Sequence, residues 1–290
     1  MRIRQIHWGL LLVVACGAAS AVPAQPTNAA ALVEPFLLRS GNLKIAGEVH
    51  RIGPRKCTAL ILVGGSNIRT RADTAQAVPI FLEPQTAVVV MDRRGNGVST
   101  GRFEVPDTAN TRWQIPGFGA DVAAVARHLK RQGYRRVVLA GTSMGGWIVA
   151  SAAATAPKDI DAVVSMVGGA STVGISDEYD RLVATGLSLD EAAGRAQFYR
   201  GPQGYEPHED LARARQPFLW VFGAKDASNP SMLDLAEVQK LAQSGKAFRW
   251  LLLPNADHEL IDASTHELDT TWIEPVRDFI RGPDAIEGCP

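Results

Sequence analysis

Short runs of continuously apolar residues recur along most of this chain, with segments of helical character between them. Residues 59–63, 87–91 and 217–222 contain no polar side chain that would give one face to solvent. Strands of this kind are covered on both faces, which is typical of a parallel sheet with helices on its two sides. The expected strands are residues 36–38, 47–52, 59–63, 87–91, 136–140, 162–167, 217–222 and 248–253, and the expected helices are residues 72–81, 119–131, 144–156, 232–243 and 264–281. The sequence therefore predicts an α/β fold with a mostly parallel sheet of eight strands.

Composition narrows the class of protein. A chain of 290 residues with 46% hydrophobic residues can bury one large core, so residues 25–290 are expected to form a single domain. The 30 basic and 30 acidic residues cancel, and without a basic excess no nucleic-acid partner is expected. The three cysteines are scattered and the histidines are isolated, so neither a metal site nor a cofactor is expected.

The candidate nucleophile is Ser143, in a Gly-x-Ser-x-Gly motif formed with Gly141 and Gly145. The motif lies between the expected strand 136–140 and the expected helix 144–156. A serine at such a strand-to-helix turn is held outward on a strained backbone that only small neighbours permit. This context predicts a nucleophilic serine.

A serine hydroxyl is a weak nucleophile at neutral pH and requires a base and an orienting carboxylate. Asp226 follows the apolar run 217–223, and His258 follows the apolar run 249–254. The chain order Ser143, Asp226, His258 is one of the known orders of a Ser-His-Asp triad. These three residues are the predicted catalytic residues.

Other residues compete for the same roles. Asp257 and Asp234 are the rivals of Asp226, although Asp257 adjoins His258 and their side chains should point in different directions. His208 is the other histidine in an expected loop. Position after the last two strands favours Asp226 and His258.

Taken together, these motifs resemble the α/β-hydrolase superfamily, over about residues 36–281. Besides the Ser143 motif and the two later loops, Leu-Ile-Leu-Val-Gly-Gly-Ser-Asn at residues 60–67 is similar to the family's oxyanion loop. The sequence Asp-Arg-Arg-Gly-Asn-Gly-Val-Ser at residues 92–99 is similar to the family's Asp-x-Arg-Gly-x-Gly-x-Ser turn after the fourth strand. The resemblance implies the α/β-hydrolase fold.

By the same resemblance, the backbone N–H groups of Ser66 and Met144 would form the oxyanion hole, with Gly65 as the neighbouring candidate. Many relatives have His-Gly in this loop, whereas this chain has Gly64 and Gly65. The histidine that would brace the loop is therefore missing.

The resemblance also implies an activity, which is carboxylic-ester hydrolysis through an acyl-enzyme on Ser143. The expected partner is a small-molecule ester or amide. Two alternatives remain open at this point: an exported small peptidase or amidase, and a catalytically inert binding protein that keeps the fold.

Residues 168–216 lie between the sixth and seventh strands, where relatives carry a cap. Expected helices at residues 176–185 and 188–199 have apolar residues at helical spacing. They would form either a small lid over Ser143 or a pair of helices packed flat on the core.

Residues 1–24 read as an export signal, with a basic start, an apolar stretch over residues 8–15 and small residues before a cleavage site at Ala21 or Ala24. Processing as a lipoprotein, with a lipid anchor on Cys16, is the other possibility. The apolar stretch is shorter than the roughly 20 residues of a membrane span, so no span is expected. Both routes predict a periplasmic, secreted or membrane-anchored protein.

Export would place the chain in an oxidising compartment. In the hydrolase arrangement, Cys57 and the exit of the last helix should lie at the same end of the sheet. We therefore expect a disulfide between Cys57 and Cys289, with two free thiols as the alternative.

Overall fold

An eight-stranded sheet lies at the centre of the computed structural model, which describes residues 31–282. The strands are β1 (Ala31–Ser40), β2 (Leu43–Ile52), β3 (Thr58–Val63), β4 (Thr86–Met91), β5 (Arg136–Thr142), β6 (Ala162–Met166), β7 (Phe218–Gly223) and β8 (Phe248–Leu253). Their spatial order is β1-β2-β4-β3-β5-β6-β7-β8. Strand β2 pairs antiparallel with β1 and β4, and the other pairs are parallel. The predicted α/β-hydrolase fold with a mostly parallel sheet is confirmed.

The helices are α1 (Arg71–Ala75), α2 (Val78–Phe81), α3 (Thr111–Arg131), α4 (Met144–Thr155), α5 (Val173–Ala184), α6 (Leu189–Ala196), α7 (His208–Arg213), α8 (Ser231–Gln243) and α9 (Ile273–Arg281). The single helix expected at residues 72–81 is two short helices. Pro79 lies in the first turn of α2, and its ring nitrogen cannot donate the hydrogen bond that a continuous helix would need there. The last helix begins at Ile273, later than the expected residue 264.

Alternate residues of the central strands face two apolar layers. Ile61 and Val63 of β3 belong to the layer that includes residues of α3 and α4, whereas Leu60 and Leu62 belong to the layer that includes residues of α2 and α9. All four side chains are buried. The central strands are continuously apolar because helices cover both faces of the sheet.

The segment expected to form a cap contains α5, α6 and α7. Tyr179 and Leu182 of α5 pack with Ala192 and Ala196 of α6 in a small apolar cluster of their own. Because β5, β6, β7 and β8 are parallel, the loops that follow them leave from the same edge of the sheet. The start of the cap and the expected site residues therefore lie at one edge.

Candidate active site

Ser143 occupies a sharp turn between β5 and α4. Its φ of 55° and ψ of −125° are unusual for a residue with a side chain. A Cβ atom at Gly141 would lie 2.2 Å from the carbonyl oxygen of Gly145, and one at Gly145 would lie 2.2 Å from that of Val63. Both motif glycines are therefore required by close backbone contacts, and the turn has the strained geometry expected from the sequence.

Ser143, His258 and Asp226 meet at the edge of the sheet, in the loops that follow β5, β8 and β7. The Nε2 atom of His258 lies 3.0 Å from Ser143 Oγ, and its Nδ1 atom lies 2.9 Å from Asp226 Oδ2. Both distances are within hydrogen-bonding range. The arrangement can move a proton from the serine to an imidazole whose other nitrogen is held by a carboxylate.

The Asp226 side chain is held by its own loop and is only 1% exposed. Its Oδ1 atom accepts hydrogen bonds from the backbone N–H groups of Ser228 and Asn229, each at 2.8 Å. This leaves Oδ2 directed at His258. The carboxylate is thus fixed in the orientation that favours one imidazole tautomer, with the proton on Nδ1.

The rival residues make other contacts. Asp234 is fully buried, and its Oδ1 accepts hydrogen bonds from the backbone N–H and the hydroxyl of Ser171. Asp257 accepts hydrogen bonds from two N–H groups of its own turn, each at 2.9 Å. His208 is exposed on α7 and faces Glu237 at 3.7 Å. Of these candidate residues, all within the described residues 31–282, His258 is the one that contacts the Ser143 hydroxyl.

The charge around His258 suits a general base. Burial lowers the pKa of the ring, but the hydrogen bond that the ring donates to Asp226 and the negative charge of Asp226 outweigh burial, with further contributions from Glu259 and Asp257. The net effect raises the pKa of His258 above its ordinary value of 6.5. The protonated imidazole that forms when serine gives up its proton is stabilised in this way.

The loop after β3 lies beside the candidate nucleophile. A Cβ atom at Gly65 would be 3.1 Å from Ser143 Cβ and 3.5 Å from its Oγ. Within the described residues, neither Ser66 N–H nor Met144 N–H donates a hydrogen bond to another protein group. Met144 is the first residue of α4, where the N–H groups have no partner inside the helix. Two free donors beside the serine are what an oxyanion hole requires.

Two residues that the sequence did not indicate hold the loop of Asp226. The hydroxyl of Tyr179, on α5, donates a hydrogen bond to the backbone carbonyl of Asp226 at 2.7 Å. The Asn229 side chain contacts Ser176 of α5 and the carbonyl of Val167 after β6. In the sequence, Tyr179 is one of several apolar or aromatic residues at helical spacing in the expected cap helix. Such a pattern indicates packing and does not distinguish a residue that also supports the acid loop.

Within residues 31–282, no group of three His, Cys, Asp or Glu side chains is arranged to hold a metal ion. In the same part of the chain, no helix combines the length and the apolarity needed to cross a membrane.

Comparison with known proteins identifies a family. The model of the prolyl oligopeptidase family matches residues 75–282, which is more than half of the chain. The match includes all three residues of the hydrogen-bonded Ser143–His258–Asp226 arrangement. No match is found among curated protein sequences.

Solved structures of hydrolases share the fold. An esterase from Pyrococcus furiosus is 16% identical, with a TM-score of 0.63 over 87% of this chain and 92% of the esterase. An acylaminoacyl peptidase from Pyrococcus horikoshii is 14% identical, with a TM-score of 0.63 over 89% of this chain and 43% of the peptidase. A proline iminopeptidase from Mycobacterium smegmatis is 16% identical, with a TM-score of 0.60 over 86% of this chain and 98% of that enzyme.

Proposed function

This chain belongs to the prolyl oligopeptidase family of α/β-hydrolase serine hydrolases, and on that premise we propose that it cleaves carboxylic esters through an acyl-enzyme on Ser143. The observation that carries the proposal is the pair of hydrogen bonds that join His258 to Ser143 Oγ and to Asp226 Oδ2, at 3.0 Å and 2.9 Å. A binding protein without activity has no chemical need for this arrangement.

In the first half of the reaction, Ser143 Oγ attacks the ester carbonyl while His258 Nε2 takes the hydroxyl proton. Asp226 stabilises the resulting imidazolium and keeps the ring oriented. The N–H groups of Ser66 and Met144 stabilise the negative charge on the carbonyl oxygen. When the tetrahedral intermediate collapses, the alcohol leaves with the proton from His258.

The second half repeats the same steps with water as the nucleophile. His258 takes a proton from water as the water oxygen attacks the acyl carbonyl. Collapse of the second tetrahedral intermediate releases the carboxylic acid and returns the proton to Ser143. The proposed residues supply all of the proton transfers, so the reaction needs no cofactor.

Peptide or amide cleavage is the second candidate, favoured by the family and by the two peptidases that share the fold. The chemistry of the two reactions is the same up to the leaving group. An alcohol leaves more readily than an amine, so a site that cleaves amides also cleaves activated esters. Ester hydrolysis is therefore the reaction for which the site needs to give the least help to the leaving group.

A comparison of substrates separates the two candidates. We expect mature wild-type protein to hydrolyse p-nitrophenyl acetate, butyrate and octanoate, and Ser143→Ala to lose this turnover. Aminoacyl p-nitroanilides measured in parallel report peptidase activity, and faster turnover of an anilide than of any ester would favour the peptidase. Absence of turnover on both classes would favour an inert binding protein.

A further inference from the structure

The proposed oxyanion hole depends on a loop that has no regular secondary structure. Residues 64–68, here called the oxyanion loop, connect β3 to the segment before α1 and include the proposed donor Ser66. Within the loop, the backbone makes one hydrogen bond, from Ile68 N–H to the carbonyl of Gly65 at 3.2 Å. A donor that must point at a developing charge needs firmer support than this.

Arg93 supplies such support from the neighbouring strand. It lies just after β4, which pairs with β3, so the two strand ends are adjacent. Its Nη2 atom donates to the carbonyl oxygens of Gly64 at 2.8 Å, Gly65 at 2.9 Å and Ile68 at 3.2 Å. Three carbonyls of the oxyanion loop are thus held by one guanidinium group.

The guanidinium is buried, and its hydrogen bonds within the described residues go from Nη2 to this loop, while its Nη1 atom has no partner there. Arg93 is 7% exposed and lies over the ring of Phe118, 5.0 Å from its centroid. Burial and then the charge of Arg69 lower its pKa to about 10, which still leaves the group positively charged at neutral pH.

The two charged residues next to Arg93, Asp92 and Arg94, each form an ion pair with a residue outside this turn. Asp92 pairs with Arg71 at 3.3 Å, and Arg94 pairs with Asp121 at 2.6 Å. Within the described residues, Arg93 forms no ion pair with a carboxylate. Its charge therefore acts on the loop carbonyls, where hydrogen bonds from a charged donor are stronger than neutral ones.

The geometry of a peptide links these contacts to the site. In a trans peptide the C=O and the following N–H point in opposite directions. A guanidinium that holds the carbonyl of Gly65 on one side therefore directs the N–H of Ser66 to the other side. Ser143 lies close to this peptide, since a Cβ atom at Gly65 would be 3.1 Å from Ser143 Cβ.

We propose that Arg93 is a positioning residue that orients the oxyanion loop, so that Ser66 N–H points at the substrate oxygen. The inference rests on the proposed acyl transfer at Ser143 and names the side chain that its oxyanion hole depends on. Arg93 would then support the oxyanion loop of this chain, which has Gly64 in place of the histidine found in many relatives.

The first test is Arg93→Met, which keeps the apolar stem and removes the donors. The expected result is a fall in kcat of about 10²-fold, the usual effect of losing one oxyanion donor, with KM little changed. The rate is taken per active site, with the fraction of reactive serine titrated by an alkyl fluorophosphonate. The pH at which activity falls on the acid side should not move, because His258 and Asp226 are untouched.

Arg71→Met is the matched control. Arg71 contacts Asp92 in the same turn but none of the oxyanion loop carbonyls, so its kcat should stay close to wild type. Arg93→Lys keeps the charge, but a flexible ammonium replaces the rigid guanidinium that places Nη2 among the three carbonyls, and its kcat should lie between Arg93→Met and wild type. If Arg93→Met does not fold, Arg93→Lys decides the question.

Three results would overturn the proposal. The first is an unchanged kcat in a folded Arg93→Met or, where that variant does not fold, in Arg93→Lys. The second is a fall in kcat of Arg71→Met that equals the fall in Arg93→Met. The third is an effect of Arg93→Met on KM alone, with kcat unchanged. A wild-type protein that neither hydrolyses esters nor reacts with the fluorophosphonate would contradict the proposed function itself and remove this inference with it. An active wild type beside an equally active Arg93→Met would contradict only the role of Arg93.

Discussion

Among single residues, substitution of the buried aspartate Asp226 should abolish most of the activity, whereas substitution of the buried aspartate Asp234 should not. In Asp226→Asn the amide no longer favours the imidazole tautomer that accepts the Ser143 proton, and we expect kcat to fall by about 10⁴-fold. In Asp234→Asn the amide oxygen keeps its hydrogen bonds from Ser171, and it replaces a carboxyl whose pKa burial raises to about 7. That variant should keep a kcat close to wild type. Equal losses in both variants, measured on one p-nitrophenyl ester, would contradict the assignment.

The pKa of His258 makes a second prediction. The base works in its neutral form, so activity should fall as the pH drops through a pKa that lies above 6.5. Glu259→Gln removes a negative charge that raises this pKa, and the acid limb of kcat/KM should therefore move to lower pH. Glu237→Gln, which removes a charge paired with Lys240, is the control and should leave the limb in place. A limb that does not move in Glu259→Gln would exclude this charge as a contributor.

At this scale, the sequence could predict those site residues whose place is set by the backbone. Ser143, Asp226 and His258 each follow an apolar strand, and parallel strand ends meet at one edge of the sheet. Arg93 and Tyr179 act through the reach of long side chains across tertiary contacts. No spacing in the chain records such contacts, so their roles required the structure.

Between elements, the cap is tied to the loop of the proposed triad acid. Tyr179 on α5 is 2% exposed, and its hydroxyl donates to the Asp226 carbonyl at 2.7 Å. Ser176 on the same helix contacts Asn229 of the acid loop. These contacts favour helices packed on the site over a freely opening lid.

Tyr179→Phe tests this link between cap and site. The variant leaves the Asp226 carbonyl without its buried donor, so we expect a loss of about 1–3 kcal/mol in the free energy of unfolding and a several-fold lower kcat. Tyr199→Phe is the control in the same cap, since the Tyr199 hydroxyl makes no hydrogen bond within the described residues. Thermal unfolding and ester kinetics measure both effects. A Tyr179→Phe protein with wild-type stability and kcat would show that α5 does not position the acid loop.

Element boundaries show where sequence patterns were insufficient. Helix α3 begins at Thr111, before the expected residue 119, and continues through Pro116. Pro116 and Gly117 have low helix propensity, yet they lie within the helix, and Ile115 and Phe118 beside them are buried in the core. Packing of these side chains outweighs the weak helix propensity of the segment, which local sequence alone does not reveal.

For the molecule as a whole, export remains a prediction that concerns residues outside 31–282. The expected signal at residues 1–24, the alternative lipid anchor on Cys16, and Cys289 all lie there. Cys57 is disulfide-bonded, which agrees with an oxidising compartment. Its expected partner, Cys289, lies outside the described residues.

Intact mass after alkylation of denatured, unreduced protein from the periplasm tests both ideas. We expect a chain that begins after Ala21 or Ala24 and takes up no alkyl group. A Cys57→Ser, Cys289→Ser variant should be less stable than wild type by about 2–4 kcal/mol. Two alkylated thiols would contradict the Cys57–Cys289 disulfide, and a lipidated Cys16 at the N-terminus would replace signal cleavage by lipoprotein processing.

The central claim is an acyl-enzyme on Ser143. The most direct test is to mix the protein with p-nitrophenyl butyrate, quench in acid during turnover, and map the modified peptide by mass spectrometry. We predict one butyryl group on Ser143, absent from Ser143→Ala and accumulating in His258→Ala only at a greatly reduced rate. Turnover of the ester with no butyryl group on Ser143, or with the group on another residue, would contradict the account.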